Sequence, residues 1–367
     1  MLSEASLIND STLLIKVLIR PNVSLSTSVI GGGLGSNVKY VIFKTVGNDF
    51  SEDPTKYSLN LLHDLGIDPK EAMVFLTASD VRKYIHTNSS VGSTDLEVYV
   101  TIGLNEYPAC TYPNQDYGLR GLGTVNTLVI TNYGLNLVGI TDLLRHVAEV
   151  KASLVSSIGY SCINSRAYGT SSDALGVISL RGDGDYAGAV TDVGKALRRA
   201  MYEAFSKFVS ELGIEDYLRY LMGGVGINEL IKVALSAYSK APIPNLSSEE
   251  FTKLFRDELL KVLKDVNTVL LIRSLRMLDE VAHLTKGLNW SEFIRDTKAV
   301  VSDELLGCAL ADYLGGFKAV LCYYWLERLK ERGEIPLINE APMFTDDLIN
   351  SLVASVMSRV YSKYLST

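Results

Sequence analysis

Glu211-Leu212-Gly213-Ile214-Glu215-Asp216 is the stretch at which the texture of this chain changes. Beyond it β-rich runs disappear and apolar residues recur every three or four positions, as at Leu259, Val262, Leu263, Val266 and Leu270. That period predicts a wholly helical second half. Before it, up to about residue 180, β-rich runs at 12–19, 38–46, 72–77, 96–104 and 125–131 alternate with clusters of Gly, Ser, Thr and Asn, which reads as strands and turns. Helical spacing appears at 55–65 and 142–157, and 185–212 reads as a long amphipathic helix with Ala189, Val193, Ala196, Leu197 and Ala200 on one side. The 367 residues exceed the usual size of one domain. The expected architecture is therefore two domains, an N-terminal mixed α/β (α+β) domain over 1–213 and a C-terminal all-α domain over 214–367.

A formal net charge of -7 argues against a general nucleic-acid binder and points to a small-molecule substrate. Residues 1–10 carry Glu4 and Asp10 without a basic start or a long apolar core, so they do not read as a signal peptide, and the expected compartment is the cytoplasm. The best candidate for a membrane span, 309–326, is broken by Asp312 and Lys318, so no span is expected. Cys110, Cys162, Cys308 and Cys322 are far apart, with no CxxC, and each is expected to be a free cysteine acting as a small hydrophobe. The four histidines, His63, His86, His146 and His283, are isolated and read as structural. A single glutamine, Gln115, hints at a thermophilic source by depletion of a thermolabile amide. The oligomeric state is left open, a homo-oligomer included.

Two acid pairs carry the clearest chemistry in the second half. Asp303-Glu304 and Asp346-Asp347 each open an apolar periodic run, and each follows a hydroxyl residue, Ser302 or Thr345. One reading is an N-cap with acids at the positive end of the helix dipole. The other is a set of carboxylates around a hard cation such as Mg2+, which takes oxygen ligands and bridges to substrate phosphate. The pairs share a design: Gly307, Cys308, Ala311 and Gly315 recur at helical spacing after the first, and Ser351, Ala354 and Ser358 after the second. Small faces of this kind let helices approach closely.

In the first half Gly31-Gly32-Gly33-Leu34-Gly35 has neither the Gly-Lys-Ser/Thr ending of a phosphate loop nor the spacing of a dinucleotide fingerprint. It is either a glycine-rich strand connection or a loop whose backbone faces a ligand. Polar turns close several expected strands: Thr101-Ile102-Gly103-Leu104-Asn105, Gly123-Thr124-Val125-Asn126 and Gly169-Thr170-Ser171-Ser172-Asp173. Together with Leu76-Thr77-Ala78-Ser79-Asp80-Val81 and Ala148-Glu149-Val150-Lys151-Ala152, their order and spacing over about 26–177 resemble the adenosylcobinamide amidohydrolase family. The resemblance implies hydrolysis of a secondary amide, giving adenosylcobyric acid and 1-aminopropan-2-ol in cobamide salvage. Such chemistry needs a base, oxyanion donors and an acid for the leaving amine. On that footing Asp173 and Glu149 are candidates for base or acid, Lys151 for charge stabilisation, Thr124, Asn126 and Thr170 for donors, and Gly32, Gly33, Thr101 and Asn105 for substrate contacts. The chain departs from the family where Ala148 replaces a threonine before Glu149 and where Ser172 replaces a threonine before Asp173.

The second half, over about 218–361, resembles the helical phosphatidylglycerophosphatase A superfamily and, more closely, its α-ribazole phosphatase branch. The shared signature is Asp303-Glu304-Leu305-Leu306-Gly307, then 313–317, then Phe344-Thr345-Asp346-Asp347-Leu348-Ile349, with Gly226-Ile227-Asn228-Glu229-Leu230 earlier. This resemblance implies a phosphomonoesterase acting on α-ribazole 5′-phosphate or a completed cobamide phosphate. It places Mg2+ or a similar divalent cation on Asp303, Glu304, Asp346 and Asp347, and Lys330 near the phosphate. No proline follows Lys330, and Tyr324 stands where the family has a basic residue. The combined expectation is a bifunctional hydrolase of cobamide salvage. The alternatives are a corrinoid-binding protein with one inactive half, or an enzyme whose second half acts on a lipid phosphate.

Overall fold

The structure is a computed structural model that describes residues 1–47, 49–104, 108–111, 123–162, 164–294, 300–335 and 341–365. The chain divides into two compact units. One comprises the described residues of Met1–Cys110, Asp116–Ile158 and Ala167–Glu211, the other those of Thr111–Gln115, Gly159–Arg166 and Leu212–Thr367.

The first unit is α/β. Its strands are β1 (Ser3–Asn9), β2 (Thr12–Val17), β3 (Asn22–Ser26), β4 (Gly33–Ser36), β5 (Tyr40–Thr45), β6 (Ala72–Thr77), β7 (Ile85–Val91), β8 (Thr94–Gly103), β9 (Pro108–Cys110), β10 (Thr124–Leu135), β11 (Ala167–Thr170) and β12 (Leu175–Arg181). They form a four-stranded sheet in the order β1-β2-β5-β6, a six-stranded sheet β4-β3-β12-β10-β8-β7, and the small β11-β9 pair. Side-chain alternation explains the layering. Along β5 and β6, Val41, Phe43, Met73 and Phe75 join Leu128, Ile130 and Ile178 of the larger sheet in one core. The intervening Ile42, Ala72 and Val74 pack with Leu62 of α1 (Pro54–Asp64) on the other face. Buried on both faces, these strands read as unbroken apolar runs. Helices α2 (Leu137–Ser157) and α3 (Asp192–Glu211) pack on the six-stranded sheet.

Helix α3 starts seven residues later than the period predicts, because Thr191 accepts from the Gly194 N–H and stops the helix from extending backwards. Residues before it are held elsewhere: the Ala187 N–H donates to Asp142 Oδ2 at 2.8 Å. Cys110 and Cys162 are each disulfide-bonded, whereas Cys308 and Cys322 are free. The expectation of four free cysteines fails at the first two, since sequence spacing does not report which thiols become oxidised in the fold.

The second unit is helical: α4 (Ile214–Leu221), α5 (Ile227–Tyr238), α6 (Ser248–Val262), α7 (Val266–Val281), the one-turn α8 (Trp290–Phe293), α9 (Ser302–Glu331) and α10 (Met343–Leu365). Helix α10 is buried around most of its circumference and packs against α5, α6, α7 and α9, which makes it the central helix of this unit. The small faces meet as expected: Ser351 Oγ donates to the Gly307 carbonyl at 2.7 Å, and a Cβ at Gly307 would stand 3.2 Å from that of Asp347. Helix α9 is broken at Gly316, whose φ of 67° and ψ of -164° an L side chain rarely adopts. By length and composition α9 passes for a membrane span, but its two halves fold back on each other at Gly316: Cys308 Sγ lies 3.4 Å from Tyr324 OH, and a Cβ at Gly307 would lie 3.2 Å from the Tyr323 ring, whereas 16 residues of straight helix span about 24 Å.

Candidate functional site

Strands β10 and β12 run parallel, and their N-terminal ends meet the C-terminal ends of β3, β6 and β8 at one edge of the first unit. Thr124 pairs with Gly103 and Gly176 with Ser26, while Asn126 Nδ2 donates to the Leu76 carbonyl at 2.7 Å. The Gly169–Asp173 turn between β11 and β12 sits here, and Lys151 arrives from α2.

Asp173 is the hub of this edge. Its Oδ1 accepts from the Val125 N–H at 2.7 Å and lies 2.5 Å from Thr170 Oγ1, and its Oδ2 accepts from the Thr170 N–H at 3.1 Å and from the Lys151 ammonium. Both side chains of the ion pair are 9% exposed. A carboxylate has about four lone-pair sites, so this one is fully engaged. Thr170 Oγ1 also lies 2.6 Å from the Gly123 carbonyl. One hydroxyl proton serves one acceptor at a time, so Thr170 can donate either to the Gly123 carbonyl or to Asp173.

Gly169 explains why the pair can close. A Cβ there would fall 2.1 Å from Asp173 Oδ2 and 3.0 Å from Lys151 Nζ. Around the hub, Thr124 Oγ1 contacts Ser172 Oγ at 3.1 Å, and Ser172, which is exposed, donates to the Gly123 carbonyl at 2.8 Å. Asn126 is fully buried; its Oδ1 accepts from the Ala174 N–H at 2.9 Å, so with its bond to Leu76 it ties β6 to the turn that carries Asp173.

The sequence candidates therefore separate. Lys151, Asp173, Thr170 and Thr124 come together, and Asn126 supports them. Thr101 is buried beside them on β8, 3.3 Å from Thr77 Oγ1. Glu149 does not join: it is exposed on α2 and pairs with Arg145, which also holds Asp142. Two residues apart on a helix, Glu149 and Lys151 face different ways. Gly32 and Gly33 sit at the start of edge strand β4, where Gly33 pairs with Ser26. Asn105 lies outside the described residues.

In the second unit the acid pairs do not act as caps. Val301 precedes α9 without a side-chain cap, and Thr345 lies inside α10, where its hydroxyl donates to Asp279 at 2.6 Å and accepts from Arg276 at 2.8 Å. Asp303, Asp346 and Asp347 are buried, and Glu304 is exposed on the outer side of α9. Lys330 Nζ donates to Asp346 Oδ2 at 3.0 Å and stands 3.2 Å from Glu327 Oε2. Tyr323 donates to Asp347 Oδ1, and Asn350 donates to Glu327. Burial lifts the Asp347 carboxyl to about 7 against the hydrogen bond from Tyr323, and the charges of Glu327 and Asp303 push it the same way. Glu327, Tyr323 and Asn350 thus join a cluster that sequence spacing did not bring together. The oxygen donors suit a hard cation, yet among the described residues no three His, Cys, Asp or Glu side chains converge to hold one.

The buried Arg276 network was also missed. Besides Thr345, the guanidinium reaches Asp279, Ser161 Oγ at 2.9 Å and the Cys162 carbonyl at 2.8 Å, all within the second unit. Its partners lie 69 and 115 residues away in the chain, beyond any local pattern.

Among solved structures the chain is similar to the low temperature requirement C protein from Listeria monocytogenes, at 20% identity and a TM-score of 0.34 over 41% of this chain and 94% of that one. It is likewise similar to the protein ypjQ from Bacillus subtilis (19%, TM-score 0.33, 42% of this chain and 96% of that one). A protein of unknown function from Bacillus stearothermophilus gives 19% and 0.33 over 42% of this chain and 98% of its own. No curated protein matches. The adenosylcobinamide amidohydrolase family matches residues 2–211, which contain the whole Lys151–Thr170–Asp173 constellation. With more than half of its length inside that match, this chain belongs to the adenosylcobinamide amidohydrolase family.

Proposed function

We propose that the first unit hydrolyses the secondary amide of adenosylcobinamide to adenosylcobyric acid and 1-aminopropan-2-ol. Water adds to the acyl carbon, the C–N bond breaks, and the departing amine takes a proton. The observation that carries this reading is the buried Lys151–Asp173 pair, with Thr170 in contact, inside the family match. Lys151 supplies a positive charge at a site of low dielectric, where it stabilises a developing oxyanion more than it would in water. Asp173 orients that lysine through the ion pair, and the Thr170 hydroxyl, which can turn between Asp173 and the Gly123 carbonyl, offers a hydrogen bond to the reacting groups. Thr124 and the exposed Ser172 offer hydroxyl donors at the same edge. Lys151→Met tests the assignment: adenosylcobinamide should persist, with no 1-aminopropan-2-ol detected by chromatography. Wild-type protein that binds adenosylcobinamide without releasing the amine would instead establish a corrinoid-binding role.

A second reading concerns the other unit, and the cluster around Asp347 favours it. Buried carboxylates with a lysine beside them suit a phosphomonoesterase for α-ribazole 5′-phosphate or a cobamide phosphate, with a lipid phosphate as the competing substrate. Asp303, Asp347 and Glu327 supply oxygen donors of the kind Mg2+ takes, without, among the described residues, the three-sided convergence that would hold the ion. Release of inorganic phosphate from α-ribazole phosphate and from phosphatidylglycerophosphate, each with and without chelator, separates the two substrates.

A further inference from the structure

At the edge of the first unit that carries Asp173, the Ala78 N–H, the Thr124 and Ser172 hydroxyls and the Gly123 carbonyl form a hydrogen-bonded series with one direction. The Ala78 N–H donates to Thr124 Oγ1 at 3.4 Å, Thr124 Oγ1 lies 3.1 Å from Ser172 Oγ, and Ser172 Oγ donates to the Gly123 carbonyl at 2.8 Å. An amide N–H can only give a proton and a carbonyl can only accept one, so Thr124 is the donor to Ser172. The Thr170 hydroxyl reaches the same carbonyl at 2.6 Å, and when it turns there both carbonyl lone pairs are taken. The two hydroxyls of the series differ in burial: Thr124 is 2% exposed, whereas Ser172 is open to solvent. Ser172 Oγ has therefore spent its proton on Gly123 and one lone pair on Thr124. A second lone pair remains, on a side chain that a ligand can reach.

We propose that this lone pair receives the hydroxyl of the departing arm, so that Ser172 makes the amidase specific for a hydroxylated amine. The inference rests on the amidase reading above, in which the leaving group is 1-aminopropan-2-ol. That arm carries its hydroxyl on the carbon next to the one bonded to the amide nitrogen, so the hydroxyl arrives together with the scissile bond. Ser172 is placed to meet it: it precedes Asp173 in the chain and shares the Gly123 carbonyl with Thr170, whose hydroxyl also contacts Asp173. The polarity matches as well. The arm's hydroxyl brings the proton that Ser172 Oγ can accept, and an arm ending in a bare propyl chain brings none. A nucleophilic role fits less well, because neither the Thr124 hydroxyl nor the Gly123 carbonyl is a base that could take the Ser172 proton. A fully buried partner for a substrate hydroxyl rejects the analogue lacking it by ~10⁴. Ser172 is exposed, so the preference should be about tenfold, the worth of one ordinary hydrogen bond.

The test compares kcat/KM for amine release from adenosylcobinamide and from the analogue whose arm is a plain propylamide, in the full-length wild type, Ser172→Ala and Ser172→Thr. The wild type should favour the hydroxylated arm about tenfold, Ser172→Thr should keep that preference, and Ser172→Ala should bring the ratio close to one. A residue that merely shaped the turn would lower both rates together and leave the ratio standing. A wild type that takes both arms alike, or a Ser172→Ala enzyme that keeps the preference, overturns the proposal. Absence of amine from either substrate would refute the amidase reading instead. The subsite is then decided by titrating the full chain with the two corrinoids and following their visible absorbance. Tighter binding of the hydroxylated one, lost in Ser172→Ala, sustains the subsite; equal binding, or none, overturns it.

Discussion

Replacing Gly169 by alanine isolates the Lys151–Asp173 pair more cleanly than removing either charge. Gly169 does not have the left-handed φ that would make alanine strained, so the added methyl acts by volume alone. It would sit 2.1 Å from Asp173 Oδ2 and 3.0 Å from Lys151 Nζ. Non-bonded atoms settle at roughly 3.5 Å, so the carboxylate must retreat by more than ~1 Å. Four groups hold it in place: Val125 N–H, Thr170 N–H, Thr170 Oγ1 and Lys151 Nζ. Losing one or two of these charge-assisted bonds costs about 2–5 kcal/mol, at about 1.5–3 each. In a unit of this size that corresponds to a fall in melting temperature of roughly 5–15 °C. A misplacement of ~1 Å at the reacting groups also costs on the order of 100-fold in turnover. Thermal melts followed by circular dichroism, with 1-aminopropan-2-ol release measured well below the variant's melting point, check both numbers. Unchanged melting would refute the steric argument. A large drop in melting with intact turnover would make the pair scaffold and remove it from the active site.

Glu149→Gln should leave amine release and melting temperature unaltered, because Glu149 is exposed and its partner Arg145 keeps Asp142; loss of turnover would return Glu149 to the reaction. Asp347 gives a pH dependence. Its folded carboxyl titrates near 7 against an ordinary 3.8, so the native state binds more protons than the unfolded state across that window. Stability of the second unit therefore falls as pH rises from about 4 to about 7, with a slope approaching ~1.4 kcal/mol per unit. Asp347→Asn should flatten the slope in urea melts run with chelator, and a slope that persists would assign the proton to another group.

The strands that could be read from sequence are those whose physics is local. The run 72–77 coincides with β6, because residues buried on both faces of a strand must all be apolar. Strands β3 and β4 offer no such signal: Asn22-Val23-Ser24-Leu25-Ser26 and Gly33-Leu34-Gly35-Ser36 are Ser- and Gly-rich, and pairing, of β3 with β12 and of β4 with β3, rather than composition makes them strands. The excursion Gly159–Arg166, which belongs with the helical unit, breaks the assumption that a domain is one continuous stretch. Its attachment depends on Arg276, more than a hundred residues away, and no window of periodicity reaches that far.

The candidate site follows the same division. Gly169, Thr170 and Asp173 are neighbours in sequence, so a polar turn after a strand drew attention to them; Lys151 came from the family resemblance, and its pairing with Asp173 across 22 residues is a tertiary fact. The same resemblance placed Glu149 beside Lys151, and helix geometry separates them. In the second unit the acid pairs were visible as doublets, but a doublet on a helix cannot send both members to one point. Burial sorts each doublet differently: Asp303 turns inward while Glu304 faces solvent, and Asp346 goes to Lys330 while Asp347 goes to Tyr323. A carboxylate cluster centred on Asp347, with Glu327 in the place expected of Glu304, is the arrangement that helical spacing allows.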